Sequence, residues 1–198
     1  MPIGVSFFTF EAISYVVDVH RQEAAPAPLL DFAVYLSFFP QLVAGPIVRA
    51  TEFLPELRAS RTPDRVEASR AALLIARGLV KKVVIADFVG RAIVTDAFGT
   101  PGEYSAWDVL FGIYGYAIQI YADFSGYTDM AIGLALLLGF RFPQNFDRPY
   151  AAVSVQDFWR RWHMTLGSWL RDYLYYPLGG SRGTTNRTYF NLFVTFVL

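Results

Sequence analysis

The sequence predicts an all-α fold: a multi-pass transmembrane helical bundle that contains broken or re-entrant helices and interfacial helices. Hydrophobic residues make up 54% of the 198 residues and charged residues only 17%, whereas a typical soluble domain carries about 25% charged residues. Several apolar runs approach the roughly 20 residues that a helix needs to cross a bilayer. Their length and helical spacing do not match the short alternating strands of a membrane barrel.

The first apolar segment covers residues 3–19 and is interrupted by two acidic residues, Glu11 and Asp18. The stretch after it, residues 20–28, ends in a proline-rich sequence. Proline removes a backbone donor and excludes regular helix, so this stretch is predicted to be a loop.

A second apolar segment, residues 29–48, is long enough to cross a membrane but is interrupted by Pro40, Gly45 and Pro46. Inside a bilayer, the carbonyl groups that proline leaves without a donor must find partners in protein or water. A broken or re-entrant helix packed within the bundle is therefore expected here.

Residues 49–70 are rich in charge and predict a polar loop that runs into a helix of about residues 66–98. At 100° per residue, four basic side chains fall in one narrow stripe of that helix, and the remaining surface is strongly apolar. The pattern favours either a basic helix at the membrane surface or a steeply tilted helix whose basic side faces water. The four residues of the stripe are Arg70, Arg77, Lys81 and Arg91.

Residues 105–140 predict two apolar helical segments separated by a polar centre that contains Asp123 and Asp129. Carboxylates in such an apolar stretch are costly unless they are paired or hydrated. They can form a proton relay or an ion site where two half-helices meet. The alternative is internal pairing with arginines such as Arg141 or Arg148.

A helix is predicted to begin after Ser154, because Ser154 and Asp157 form the S-x-x-D pattern of a capping box. This helix is expected to continue to about Tyr173. The glycine-rich residues 179–183 end the region, and a final apolar helix is expected to open near Thr188.

His163 is the strongest candidate for a catalytic residue. A helix would align it with Trp159, Arg160 and Gly167, and the glycine leaves room for a ligand or another backbone to approach. Histidine titrates near neutral pH and can take a proton from a hydroxyl group and return it. The alternative is a structural histidine that is hydrogen-bonded between helices.

Charged and aromatic residues surround His163 in the sequence. These residues include Arg160, Arg161, Arg171 and Asp172. The arginines can hold a phosphate or an acyl carbonyl, or they can be charges of an interfacial helix in the headgroup region. Three of the four tryptophans, Trp159, Trp162 and Trp169, lie close together. Such clustering is typical of the membrane–water boundary, with sugar stacking as the less favoured alternative.

The composition also argues against several classes of site. The chain has no cysteine and only two histidines, of which His20 is expected to be solvated in a loop. Disulfides, thiolate metal sites and a multi-histidine metal cluster are therefore not expected. No phosphate-binding glycine loop, G-x-S-x-G elbow or H-E-x-x-H motif is present. The net charge is zero, so no nucleic-acid partner is expected.

Five strings that follow one another along nearly the whole chain carry a resemblance to a known family. They are PIGVSFFTFEAISYVVDV, DFAVYLSFFPQLVAGPIVR, GLVKKVVIAD, QIYADFSGYTDMAIGLALLLGFRFPQNFDRPY and FWRRWHMTLGSWLRDYLYYPLGG. The chain resembles the polysaccharide branch of the membrane-bound O-acyltransferase family, typified by alginate O-acetyltransferases. The related D-alanyl-transfer proteins of teichoic acid synthesis share the Trp-His element and the broken helices, but the residues flanking that element look more like the acetylating branch.

The resemblance implies a multi-pass protein of the bacterial inner membrane that transfers an acyl group, with acetyl-CoA as the donor, toward an exported polysaccharide. Membrane lipid, the polysaccharide acceptor and a periplasmic acetyltransferase are the implied partners, and no cofactor is expected to be bound. The candidate catalytic residue is His163. The candidate substrate-binding residues are Trp159, Arg160, Trp162, Asp172, Tyr173, Asp123 and Asp129.

The family has two characteristic histidines, and His163 matches the one in its Trp-His motif. The other, regarded as catalytic, is expected a few residues past Leu198. We therefore expect residues 1–198 to form one partial family domain, cut at both ends, and to be inactive alone. Two alternatives remain at this point: D-alanyl or other acyl transfer to a cell-wall polymer, and an ion- or proton-coupled transporter that uses Asp123 and Asp129.

Overall fold

A computed structural model describes residues 5–59 and 61–197. Within these ranges the regular structure is helical, without strands, which confirms the all-α prediction. None of the helices in the described part of the chain combines the length and apolarity that a bilayer crossing requires. The start of the apolar segment expected from residue 3 lies outside the described residues.

The chain divides into two compact units. Unit 1 comprises Met1–Ser60 and Phe142–Leu198, and unit 2 comprises Arg61–Arg141. The helices of unit 1 are α1 (Val5–His20), α2 (Leu29–Ser37), α3 (Ala50–Ala59), a 3₁₀ turn (Pro149–Ala151), α8 (Val155–Arg161), α9 (Met164–Leu170), a π-helical segment (Arg171–Tyr175) and α10 (Thr185–Val197).

Unit 2 contains one long run of helix and a second long helix. The run comprises α4 (Arg65–Leu79), a π-helical segment (Val80–Ala86), α5 (Asp87–Val89), a second π-helical segment (Gly90–Val94) and α6 (Thr95–Gly99). A 3₁₀ turn (Pro101–Glu103) then leads to α7 (Ala106–Leu137).

The long helical run of unit 2 confirms the helix predicted for residues 66–98, although its two π-helical segments were not expected. It begins with a capping box, in which Glu67 N donates to Asp64 Oδ1 at 2.8 Å and the Glu67 carboxylate accepts from Asp64 N. Such reciprocal bonds satisfy backbone donors that a helix start leaves free.

Small residues bring this helical run and α7 into close contact. A Cβ added at Gly78 would lie 2.5 Å from the carbonyl oxygen of Gly126, and one added at Gly133 would lie 2.8 Å from that of Ala71. Glycine therefore lets the two backbones approach closely, as small residues do where helices pack against one another within membranes.

The predicted break near Asp123 is wrong, because α7 is continuous through the polar centre. Asp129 is buried and accepts from Arg77 at 2.6 and 2.9 Å and from Lys81 at 2.7 Å. Asp123 pairs with Lys82. The carboxylates are neutralised by the facing helical run, so the backbone of α7 need not unwind to reach other partners.

The internal pairing expected for these carboxylates is present, but the arginines named for it were wrong. Arg141 pairs with Glu67 and Arg148 with Asp147. Two members of the predicted basic stripe, Arg77 and Lys81, face Asp129.

In unit 1 an aromatic core holds the broken segment in place. Helix α2 ends at Ser37, and residues 38–49 are not helical, which confirms the break predicted within residues 29–48. The buried Tyr35 donates its hydroxyl to the Val48 carbonyl at 2.8 Å, and its ring lies 5.4 Å from that of Phe53. These contacts fold the broken segment back against α2.

Three predictions for unit 1 need correction. The polar loop expected at residues 49–70 contains α3, which forms despite Pro55 because its buried residues Phe53 and Leu54 anchor it in the core. The single helix expected from Ser154 to Tyr173 begins as predicted, with Ser154 Oγ accepting from Asp157 N, but it breaks at Trp162 and His163. The final helix starts at Thr185, three residues before the expected position.

Candidate functional site

His163 lies in the joint between two short helices. Its backbone is left-handed, with φ 43° and ψ 55°, so α8 ends before it and α9 begins after it. The Nε2 atom is buried, and the ring lies 6.3 Å from the Phe7 ring. Because the helix is broken, His163 does not share a helical face with Trp159 and Arg160, contrary to the sequence-based expectation.

The joint is fixed from a distant part of the sequence. Met164 N donates to the Asn145 carbonyl at 2.9 Å, and the Thr165 hydroxyl donates to Asn145 Oδ1 at 2.6 Å. Ile47 N donates to the same hydroxyl oxygen at 3.0 Å. Residues of the broken segment and of the loop before α8 thus meet directly beside His163.

A second group of polar residues surrounds Asp172 in the π-helical segment after α9. Asp172 forms ion pairs with Arg171 at 2.8 Å and with Arg49. The Arg49 guanidinium lies 5.2 Å from the centre of the Tyr173 ring, and that of Arg21 lies 5.6 Å from it. Such distances allow a cation–π contribution from both arginines.

The electrostatics of this group keep Asp172 ionised. Burial raises the pKa of the Asp172 carboxyl, but hydrogen bonds from Arg171 and Arg49 outweigh it, and the pKa lies below its ordinary value. Burial and the hydrogen bond that the Tyr173 hydroxyl donates to Asp18 at 2.7 Å both raise the pKa of Tyr173. Tyr173 is therefore a neutral hydrogen-bond donor at physiological pH.

Arg49 and Asp172 line two cavities of unit 1. One, of about 370 Å³, is also lined by Met164, Thr165 and Ser168, which follow His163 on α9. The other, of about 420 Å³, includes Arg21, Tyr173 and Tyr176 in its lining. Both volumes lie in the range of small-molecule sites, and their walls mix charged, hydroxyl and apolar groups that can hold a polar acyl carrier or a sugar hydroxyl.

The remaining predicted substrate-binding residues of unit 1 are Trp159 and Arg160, which lie on α8, and Trp162, which directly follows it. The Trp162 ring packs among Phe146, Tyr150 and Phe158, with the nearest centroid at 5.1 Å. Trp159 is 47% exposed and contacts Phe196 of α10 at 5.5 Å between centroids. Arg160 is exposed. None of these three residues lines either of the two cavities described above.

The structure thus brings Asp172 and Tyr173 together and separates them from the α8 residues. Asp157 accepts a hydrogen bond from Arg161 at 3.0 Å. Asp123 and Asp129 belong to unit 2, where each is ion-paired.

Sequence reasoning missed two residues of the site, Arg49 and Asn145. Arg49 stands 123 residues before its partner Asp172, and the sequence pattern offered no signal that pairs them. Asn145 lies in a loop with prolines on both sides. The same loop also contains Gln144 and Asp147, so the sequence offered no signal that singled out Asn145.

The family model described as MBOAT, membrane-bound O-acyltransferase family, matches residues 5–198 of the chain. The chain belongs to the membrane-bound O-acyltransferase family. It is 46% identical over 201 residues to the protein of Pseudomonas aeruginosa named "Probable alginate O-acetylase AlgI", covering 100% of this chain and 38% of that protein.

More distant members of the family act on other polymers according to their names. The peptidoglycan O-acetyltransferase of Helicobacter pylori is 38% identical over 226 residues, with 100% of this chain and 42% of that protein covered. The teichoic acid D-alanyltransferase of Bacillus subtilis is 28% identical over 180 residues, with 87% and 44% covered. The chain spans about two fifths of the length of these relatives.

Proposed function

We propose that this chain is part of an O-acetyltransferase of the bacterial inner membrane that acts on an exported polysaccharide such as alginate, with acetyl-CoA as the acyl donor. The observation that carries the proposal is the 46% identity along the whole chain to the Pseudomonas aeruginosa relative. The proposal adds that α7, and the long helical run of unit 2 from Ala71 onward, lie in the bilayer. Exposed apolar side chains on both, such as Val83, Val84 and Phe111, support this placement.

The proposed chemistry is base-assisted acyl transfer. The second family histidine, expected past Leu198, takes the proton from the acceptor hydroxyl. The hydroxyl oxygen then bonds to the acetyl carbonyl carbon, the carbon–sulfur bond of the donor breaks, and the departing thiolate receives a proton. A positioned base of this kind contributes about 10²–10⁴-fold to the rate.

His163 orients or polarises the acyl carbonyl in this proposal, or lies beside the reaction path. Support comes from its buried Nε2 and from the cavity that begins at the residues directly after it, Met164 and Thr165. Arg49 is held by Asp172 and by the Tyr173 ring, so its remaining N–H groups are pre-oriented donors for a carbonyl or phosphate oxygen. A periplasmic acetyltransferase that completes delivery to the polymer belongs to the same proposal.

A second candidate is D-alanyl transfer to a cell-wall polymer, which the name of the Bacillus subtilis relative suggests. Its 28% identity is far below the 46% and 38% found for the two O-acetylating relatives, so acetyl transfer is the stronger proposal. The transporter hypothesis required a helix break at Asp123. Since α7 is continuous there, that hypothesis loses the feature on which it rested.

The test is polymer acetylation in a host that makes the polysaccharide but lacks its own acetylase. The full-length protein that contains this chain is expressed, and ester-bound acetyl groups on the isolated polymer are measured. His163→Ala is expected to lower acetyl content at least about tenfold. His20→Ala, a change to the exposed second histidine of the chain, serves as the matched control and is expected to leave it unchanged. Equal acetylation by both variants would reject the role of His163.

A further inference from the structure

Asn145 takes the place of a helix cap beside His163. The first backbone N–H groups of a helix have no partner within the helix, and the residue before the helix normally satisfies one with its own side chain. The side chain of His163, which holds that position for α9, makes no such bond. Instead, Met164 N donates to the Asn145 carbonyl at 2.9 Å and Thr165 N donates to Asn145 Oδ1 at 3.4 Å.

The hydrogen bonds around Asn145 are closed off from solvent. Asn145 is 0% exposed and Thr165 is 6% exposed. The Thr165 hydroxyl donates to Asn145 Oδ1 and accepts from Ile47 N, so both of its ordinary roles are used. Breaking such a hydrogen bond is costly, because it leaves a buried polar group without a partner.

The same loop also holds the helix on the other side of His163. Asp147 N donates to the Arg161 carbonyl at 3.0 Å, and the Arg161 guanidinium lies 3.7 Å from the Asp147 carboxylate. The end of α8 and the start of α9 are thus both tied to residues 145–147. A left-handed backbone is unfavourable for a residue with a Cβ atom and persists where its surroundings enforce it.

We propose that Asn145 is the positioning residue of His163. By capping α9 from another segment, it replaces the side chain of His163 in the capping role and fixes the direction in which the ring leaves the backbone. The consequence for acyl transfer rests on the proposed function, whereas the positioning of the ring does not.

The test measures the chemical reactivity of His163 directly. The detergent-purified full-length protein is treated with diethyl pyrocarbonate, which modifies accessible imidazoles, and the modification of each histidine-containing peptide is followed by mass spectrometry. His20, which is exposed, is the internal reference. Asn145→Ala is expected to speed the modification of His163 about fivefold or more, the size of effect that loss of one hydrogen bond has on a local opening equilibrium.

Two further variants separate positioning from general loss of structure. Asn145→Asp retains the side-chain oxygen that accepts from Thr165, and it is expected to restore the slow modification rate. Asn191→Ala is the matched control, because Asn191 is a second buried asparagine of unit 1, 2% exposed, whose side chain donates to the carbonyls of Leu178 and Gly180. It is expected to leave the His163 rate unchanged.

Equal His163 rates in Asn145→Ala and in the unaltered protein would overturn the proposal, and so would an equal acceleration by Asn191→Ala. If Asn145→Ala does not fold, Thr165→Val keeps Asn145 but removes the hydroxyl bonds to Asn145 and Ile47, and it must show the same acceleration. In the acetylation reaction, Asn145→Ala is expected to lower kcat with little change in KM, because the ring is misdirected while the cavities remain. If Asn145→Ala speeds the modification of His163 but leaves acetylation unchanged, that result would count against the proposed function.

Discussion

Replacing Gly78 with alanine is expected to destabilise unit 2 even though alanine favours helices. The added Cβ would lie 2.5 Å from the Gly126 carbonyl oxygen, 2.6 Å from Met130 Cγ and 3.0 Å from Met130 N. An ordinary van der Waals contact of carbon is about 3.5–4.0 Å. The methionine side chain can move, but the backbone oxygen and nitrogen belong to α7, so the two helices must separate.

The expected magnitude follows from two opposing terms. Forcing a methyl group into a closely packed contact costs about 1–3 kcal/mol. Replacing glycine by alanine within a helix returns about 0.5–1 kcal/mol. The free energy of unfolding is therefore expected to fall by about 0–2.5 kcal/mol in Gly78→Ala, with a central value of about 1 kcal/mol.

Equilibrium denaturation in detergent, followed by helical circular dichroism, measures this change. Gly99→Ala is the control within unit 2, because nothing lies within 4 Å of a Cβ added there. It is expected to change the free energy of unfolding by less than about 0.5 kcal/mol. Equal stability of the Gly78 and Gly99 variants would refute the close approach of the helical run and α7 at this point.

Three other changes have expected outcomes. Asp129→Asn leaves Arg77 and Lys81 without their buried carboxylate and is expected to lower the free energy of unfolding by about 2–4 kcal/mol. Asp123→Asn, at a half-exposed carboxylate, is expected to lower it by only about 0–1 kcal/mol. Equal losses of stability in denaturation experiments would contradict the difference in burial. Hydrogen bonds from Arg61 and Arg141 lower the pKa of Glu67 to about 2, so its stabilisation is complete above about pH 4.5 and is lost as the pH falls toward 2. A Glu67→Gln variant should show a flatter acid titration of stability, and an unchanged titration would refute this pairing. Ser154→Ala removes the cap of α8 and is expected to lower the free energy of unfolding by about 1 kcal/mol. Thermal unfolding followed by helical circular dichroism is expected to show a smaller loss than in the Asp129 variant.

Local signals in the sequence predicted the parts of the fold that depend on neighbouring residues. Ser154 begins α8 because its side chain bonds an amide three residues on, a distance that a sequence pattern covers. The break of residues 29–48 follows from the chemistry of proline and glycine. The same holds for the loop predicted at residues 20–28, which begins at residue 21 because α1 extends through His20.

Long-range contacts decide the features that the sequence did not predict. The helix break at His163 depends on Asn145 and Ile47, and the latter lies 118 residues before its partner Thr165. Residues 154–173 contain no proline and have helical spacing, so local rules favour one helix. Tertiary hydrogen bonds override that preference, as they commonly do.

The candidate site was predicted in part for the same reason. The sequence pointed to His163, Asp172 and Tyr173, but it aligned His163 with Trp159 and Arg160 on the assumption of a continuous helix. The break turns α8 away from that arrangement, and Arg49, from the other half of unit 1, joins Asp172 and Tyr173 instead.

The most direct test of the proposed function is acetyl transfer by the purified full-length protein in proteoliposomes, with the periplasmic acetyltransferase of the same proposal present. Acetyl-CoA with a radiolabelled acetyl group is supplied together with the polysaccharide acceptor, and the label on the recovered polymer is counted for the unaltered protein, His163→Ala and His20→Ala. The proposed function predicts full labelling by the His20 variant and at least about a tenfold loss in the His163 variant. Full labelling by His163→Ala would contradict it.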